Sequence, residues 1–388
     1  MEKTWRWFGP NDPITLEMLR QIGVEGIVTA LHSVPLGQVW SREAIREMRE
    51  FIESRGLRWS VVESLPVTET IKYGGPDRDL QIEIYKESLR NLGKEGVRTV
   101  CYNFMPILDW ARTDLEYPNP DGTSNLYFNN AEFAYFDINI LQREGARNDY
   151  PVDVINRMEA MGRLTPEKEQ QLIENIIIKT QGFVSGNFSE ADFDPGGKFR
   201  DMLKLYEGID KEHLRANMKY FLEAIMPVCD EYGINMCVHP DDPPKPVLGL
   251  PRIVTCDEDI RWLLDAVPDR HNGLTFCAGS LSAGIHNDVC LLAEKYAGRT
   301  HFAHFRICQV MPDGDFKESS HLDPRLIEVI RTFSRLNPDV PMRVDHAPLM
   351  LGDEKMGYNA GYSFHGRMLA LGMISGIMAT IDTENQKS

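Results

Sequence analysis

Ile234-Asn235-Met236-Cys237-Val238-His239-Pro240-Asp241-Asp242-Pro243-Pro244 is a mainly apolar run that stops abruptly in a histidine, two carboxylates and three prolines. A run of this length, bounded by Gly233 on one side and by proline on the other, reads as a buried strand rather than a helix. Proline cannot continue a sheet ladder, so the strand ends at Val238. His239 then stands at its carboxyl end, beside a loop stiffened by prolines. Taken alone, the stretch equally describes a core histidine ahead of a rigid surface turn. The choice between a site and a turn rests on what the rest of the chain brings beside it.

Outward from this run the chain alternates strand and helix. Ahead of it, strands are expected at Trp5 to Phe8, Val24 to Leu31, Leu57 to Glu63 and Val97 to Phe104. Between them, Asp12-Pro13 offers an N-cap and first-turn proline, and Ser41 caps a helix whose Ile45, Met48, Phe51 and Ile52 share one face. Leu80, Ile84, Leu89 and Leu92 mark a further helix. Beyond the run come strands at Leu274 to Cys277, His301 to Arg306 and Pro341 to Asp345. Helices lie around Asp259 to Ala266, Asp288 to Tyr296, Asp323 to Phe333 and Ser363 to Ile381, and a long one capped by Asp210 precedes the run. The rhythm breaks only at about 106–208, a stretch rich in Asn, Asp, Gly and Phe with a helical piece from Pro166 to Lys179.

Eight strands joined by helical crossovers predict a parallel (β/α)8 TIM barrel, as one domain over 1–388 with a partly helical insertion after the fourth strand. A doubly wound open sheet is the competing arrangement. No G-x-G-x-x-G follows the first strand and no Walker sequence occurs, so neither common nucleotide-binding form of open sheet gains support.

A net charge of −16 argues against a nucleic-acid or anionic-membrane surface and favours a small polar substrate. The first residues lack the apolar core of a signal peptide. The last helix, apolar around Met368 to Met378, reads as too short and too glycine-broken to span a membrane, so a cytoplasmic protein is expected. Seven cysteines without a C-x-x-C pair form neither a disulfide framework nor a zinc knuckle. The oligomeric state is not readable, although the insertion is a natural place for contacts in a homo-oligomer.

Catalytic groups of such barrels project from the carboxyl ends of the strands. There the sequence places His239, Cys277, His304 and Asp345 on four successive strands, a competent set of metal ligands: two imidazoles, a thiolate and a carboxylate. Ligand softness alone suggests zinc. His346 follows Asp345, and neighbours on an extended chain point to opposite sides, so it is better placed as an acid or base above the metal. A glycine-bearing loop, Gly357 to Ser363, carries Tyr362 over the barrel mouth, as a catalytic or a packing residue. Asn103, Asp241 and Arg306 are candidate substrate contacts, with Arg306 able to grip a carboxylate bidentately. Asp241 is alternatively a supporting residue of the site.

Several runs together carry a resemblance. They are Arg6-Trp7-Phe8-Gly9-Pro10, Trp59-Ser60-Val61-Val62-Glu63-Ser64, Cys101-Tyr102-Asn103-Phe104-Met105-Pro106 with Leu108-Asp109-Trp110, His239 to Pro244 with Gly249 to Ile253, Asn272 to Cys277, and Gly361-Tyr362-Ser363. With these the chain resembles the D-mannonate dehydratase family almost end to end. The resemblance implies a metal-dependent, xylose-isomerase-like barrel that dehydrates D-mannonate to 2-dehydro-3-deoxy-D-gluconate. It implies one Mn²⁺ or Fe²⁺ rather than zinc, His239, Cys277, His304 and Asp345 as ligands, and His346 with Tyr362 as the acid/base pair. The chain departs from the family's pattern at Ala278 after Cys277, at Ile307-Cys308 after Arg306, and at Val344 before Asp345. An aldose-ketose isomerase on the same barrel and a sugar-acid-binding homologue without turnover are the competing readings.

Overall fold

The computed structural model describes residues 1–182, 187–189 and 191–385; positions 183–186 and 190 of the expected insertion and 386–388 lie outside the described residues. In chain order the strands are β1 (Glu2–Arg6), β2 (Gly26–Thr29), β3 (Arg58–Glu63), β4 (Thr99–Tyr102), β5 (Asp114–Pro118), β6 (Ser124–Phe128), β7 (Asn235–Val238), β8 (Asn272–Cys277), β9 (Thr300–His304), β10 (Cys308–Val310), β11 (Phe316–Glu318) and β12 (Pro341–Arg343). Eight of them close a parallel barrel in the order β1-β12-β9-β8-β7-β4-β3-β2. The fold is therefore the (β/α)8 barrel, and the open doubly wound sheet is excluded by the pairing of β1 with both β2 and β12. Every residue of β8 is buried, as expected of a strand covered by helices outside and side chains within. Inside the barrel Val28, Val61, Cys101, Cys237 and Phe302 pack together.

Local signals set the helices. Ser41, Thr165, Asp210, Asp288 and Asp323 each accept a backbone N–H at the start of a helix, as their sequence contexts predict. Asp12 does not cap. Its carboxylate instead accepts the amides of Phe8 and Ile14, and Thr15 caps the first helix, Leu16–Gln21. The last helix is also longer than its apolar stretch suggests. At Phe364–Glu384 it is long and apolar enough, by length and composition, to cross a membrane. It packs on the barrel through buried Ala370, Leu371, Ile374 and Ile381.

The segment after β4 holds a second hydrophobic cluster, built on Phe128, Phe133, Phe136, Leu172, Ile176 and Phe199. It also contains something the sequence did not announce. The β5–β6 hairpin pairs with β11, and β11 with β10, in a four-stranded antiparallel sheet of order β10-β11-β6-β5. This sheet ties the insertion to the loop after β9.

Candidate metal centre and its surroundings

At the carboxyl ends of β7, β8, β9 and β12, one donor atom from each of His239, Cys277, His304 and Asp345 lies within 4.8 Å of the others. The donor set fits a metal on three counts. His304 is fully buried, and neither of its ring nitrogens makes a hydrogen bond; a buried imidazole with both nitrogens unsatisfied is costly unless a ligand completes it. Its Nδ1 is 3.6 Å from Asp345 Oδ2 and its Nε2 is 3.6 Å from Glu63 Oε1. His239 Nδ1 lies 2.7 Å from the Pro240 carbonyl, which only accepts, so Nδ1 carries the proton and Nε2 keeps its lone pair for a metal. Cys277 Sγ accepts the Ser280 backbone N–H at 3.4 Å and stands 3.6 Å from Asp345 Oδ2, so its sulfur is held facing the other donors.

Around these four lies a network of buried charges. Asp345 accepts Arg306 Nε at 2.6 Å on one oxygen and Arg343 Nη1 at 2.6 Å on the other. Burial pushes the Asp345 carboxyl up, but Arg343, His346 and Arg306 outweigh it and hold the group well below the usual carboxylate range. Arg343 also grips both oxygens of Glu63 at 2.9 Å, and Arg6 pairs with Glu63 at 3.0 Å. Asp242 receives Arg112 on both oxygens, at 2.7 and 3.0 Å, and Arg306 at 2.7 Å. Arg6, Arg112, Arg306 and Arg343 thus face Glu63, Asp242, Glu318 and Asp345, four guanidiniums against four carboxylates.

Of the remaining residues singled out from sequence, His346 and Tyr362 stand together, their rings edge to face at 5.3 Å. The Tyr362 hydroxyl is 3.4 Å from Asp345 Oδ1, and Trp110 packs on His346 at 4.6 Å. Burial lowers the His346 pKa below its ordinary value, and burial together with the Asp345 charge raises that of Tyr362. Asn103 lines the inner cavity and donates to Asp109 at 2.6 Å.

Two of the candidate substrate contacts are held by protein partners, and for Asp241 this matches its alternative reading as a supporting residue. Arg306 lines the cavity, but its donors are taken by Asp345, Asp242, Glu318 and Ser280, so it offers no free bidentate face to a substrate. Asp241 is not among the cavity-lining residues. Its carboxylate is held by the amides of Ile253 and Val254 and by Arg252, which fixes the loop after His239. Conversely, Arg6, Glu63, Ser64, Asp109 and Trp110 line the cavity without having been singled out as site residues. Glu63 was legible by the same strand-end rule that picks out the four clustered donors, since it closes β3.

The inner cavity has a volume of about 20 Å³. Beside it a groove of about 870 Å³ runs between the β5–β6 hairpin and the 347–363 loop. Gly361 lines the groove, and an added Cβ there would come 3.0 Å from the ring of His346, which lines the cavity.

Comparison with known proteins bears on this arrangement. The family model for D-mannonate dehydratase (UxuA) matches residues 1–388. Mannonate dehydratases of Chromohalobacter salexigens and of a Marinomonas species are 43% and 42% identical, over 98% and 97% of this chain and 99% and 98% of theirs. The crystal structure of mannonate dehydratase from Streptococcus suis serotype 2 superposes with a TM-score of 0.78 at 32% identity, covering 99% of this chain and 96% of that one. With its closed barrel and its ligand-competent cluster at the strand ends, the chain belongs to the D-mannonate dehydratase family.

Proposed function

We propose that the protein is a hydro-lyase that converts D-mannonate to 2-dehydro-3-deoxy-D-gluconate and water, in the catabolism of hexuronates. The observation that carries the site assignment is His304, buried with two unsatisfied nitrogens among three other ligand-competent groups. The family is metal-dependent. His239, Cys277, His304 and Asp345 would hold one divalent ion, Mn²⁺ or Fe²⁺. When bound, such an ion acts as a Lewis acid toward the charge that develops on the substrate carboxylate as the C2 proton leaves.

The chain's own residues supply the proton transfers. Burial favours the neutral imidazole of His346, whose Nδ1 points at the Glu318 carboxylate 3.1 Å away, so the proton sits on Nδ1 and the Nε2 lone pair is the base toward C2. Tyr362, with its pKa raised, stays protonated and donates to the departing C3 hydroxyl. The enol tautomerises to the 2-keto acid. Because Arg306 is spent on carboxylates, Arg6 takes the substrate carboxylate: it lines the cavity and its Nε is buried without a partner. A divalent ion held by a Cys277 thiolate would add one net positive charge to the four-to-four network, which a monocarboxylate substrate would cancel. Asn103 and Asp109 face the sugar hydroxyls. A cavity of about 20 Å³ holds roughly one water, so the sugar acid enters from the groove as the rim around Gly361 and Trp110 gives way. We read the chain as one catalytic unit carrying its insertion, acting in the cytoplasm on a small molecule.

The test is a keto-acid assay on a panel of sugar acids with Mn²⁺, Fe²⁺, Zn²⁺ and chelator. D-Mannonate with Mn²⁺ or Fe²⁺ should give the fastest turnover. His346→Asn and Tyr362→Phe should each lose on the order of 10²–10⁴ in kcat with metal retained; near-wild-type turnover in either removes that residue from the mechanism.

A further inference from the structure

Glu318 lies on β11, outside the barrel, and is buried in the site. Side chains alternate along a strand, so Phe316 and Glu318 share one face while Lys317 takes the other. Phe316 stacks on Phe128 of the insertion at 5.1 Å with rings nearly parallel, and the register Phe316↔Phe128 fixes β11 against β6. Glu318 on the same face reaches the barrel mouth. There Oε1 receives Arg112 at 3.0 Å and Arg306 at 3.1 Å and lies 3.1 Å from His346 Nδ1, while Oε2 receives Arg306 at 3.2 Å and the Cys308 thiol at 3.5 Å.

We propose that Glu318 is a positioning residue for the reaction: it holds the Nδ1 proton of His346, so that Nε2 faces the substrate as a bare lone pair, and the auxiliary sheet exists to deliver it. This rests on His346 acting as the base. The geometry asks for a carboxylate at this point. An imidazole has two tautomers, and the one with the proton on Nε2 cannot accept a proton there. A carboxylate has only acceptor sites, so Glu318 at 3.1 Å, within hydrogen-bond reach, selects the Nδ1–H form over a proton on Nε2, which lies 3.8 Å from Asp345 Oδ1, and the two guanidiniums on Glu318 prevent it from rotating away. Burial pushes the Glu318 carboxyl up, but Arg306, His346 and Arg112 prevail and bring it down to about 2, so it is ionised throughout the working range. Trp110 closes the other side of the imidazole at 4.6 Å, leaving the ring little freedom beyond the choice of tautomer.

The experiment compares Glu318→Ala and Glu318→Gln with wild type, each loaded with metal and assayed for keto acid from D-mannonate. Glu318→Ala should lose on the order of 100-fold in kcat, with KM within about twofold and metal content unchanged, and added formate should restore part of the rate by filling the acceptor position. Glu318→Gln keeps a carbonyl oxygen for Nδ1–H and, unlike an amide at 242, can turn its NH₂ to the Cys308 sulfur on the Oε2 side, so it should recover to within about tenfold of wild type. Equal losses in the two variants would show that only charge compensation for Arg112 and Arg306 is at stake, and would overturn the proposal; so would wild-type kcat in Glu318→Ala. If Glu318→Ala does not fold, wild type decides, through the His346 ring-nitrogen resonances of ¹⁵N-histidine enzyme, identified by their loss in His346→Asn: a pyrrole-type Nδ1 supports the assignment and a pyridine-type Nδ1 refutes it. A wild type silent with every metal would refute instead the dehydratase reading on which the proposal stands.

Discussion

Removing the carboxylate of Asp242 should cost more stability than removing any surface carboxylate of the chain. Asp242 is fully buried, bonded to Arg112 through both oxygens and to Arg306 and Ser280 through one, and Arg112 and Arg306 are themselves 0% and 1% exposed. In Asp242→Ala two buried guanidiniums lose a partner, and breaking a buried pair from one side costs about 3–5 kcal/mol. Asparagine does not repair this, since every position around the carboxylate is a donor and the amide NH₂ must face one of them. For 388 residues the entropy of unfolding near the midpoint is roughly 0.8 kcal/mol/K, so the expected fall in Tm is about 4–6 °C. Scanning calorimetry in chelator keeps metal binding out of the comparison. The control is Glu384→Ala, which removes the partner of Arg331 from an equally short but exposed pair, 2.7 Å with side chains 55% and 45% exposed. That change should cost less than about 1 kcal/mol, about 1 °C. Equal shifts for the two variants would refute the claim that burial, and not pairing distance, sets the cost.

Further outcomes follow from the same geometry. Asp242 and Glu318 both have folded pKa values below the ordinary carboxyl range, so their contributions are fully present above about pH 4 and are lost as pH falls toward the folded values; acid denaturation followed by fluorescence should start at higher pH in wild type than its neutral-pH stability suggests, and the acid limb should flatten in Asp242→Ala. Gly366→Ala would put a Cβ 1.9 Å from the Pro348 carbonyl oxygen, forcing the loop that carries Tyr362 to move, and should lower both Tm, by roughly 1–3 kcal/mol in stability, and kcat; Gly372→Ala, with nothing within 4 Å in the same helix, should be neutral or stabilising in the same assays. Cys277→Ser should weaken metal binding by more than the roughly 10–100-fold typical of losing a supporting residue, and the cobalt-loaded variant should lack the near-ultraviolet thiolate-to-cobalt absorption that the wild type shows; retention of that band would exclude Cys277 as a ligand.

The barrel was legible because its cues are local. Each strand is a short apolar run with its own stop signal, and caps such as Ser41, Asp210 and Asp323 act within three residues of themselves. The metal cluster was legible for a related reason: once a strand's end is known, the residue standing there is known, and β7 and β8 end at His239 and Cys277 or one residue before. The same rule fits Glu63, which closes β3.

The charge network belongs to tertiary structure. Arg112 meets Asp242 across 130 residues and Glu318 across 206, and Arg343 meets Glu63 across 280. No periodicity links such pairs, since they touch only because closing the barrel brings β1 beside β12 and folding the insertion brings β11 beside β6. For the same reason Arg306 read from sequence as a free grip for a carboxylate and proved to be occupied. A side chain's chemistry is a property of its residue type, but its availability is decided by the partners that chain closure supplies. The four clustered donors could be named from strand ends alone; which carboxylates hold each arginine, which nitrogen of His346 meets Glu318, and why a three-residue strand outside the barrel carries a glutamate into it, only the closed fold decides.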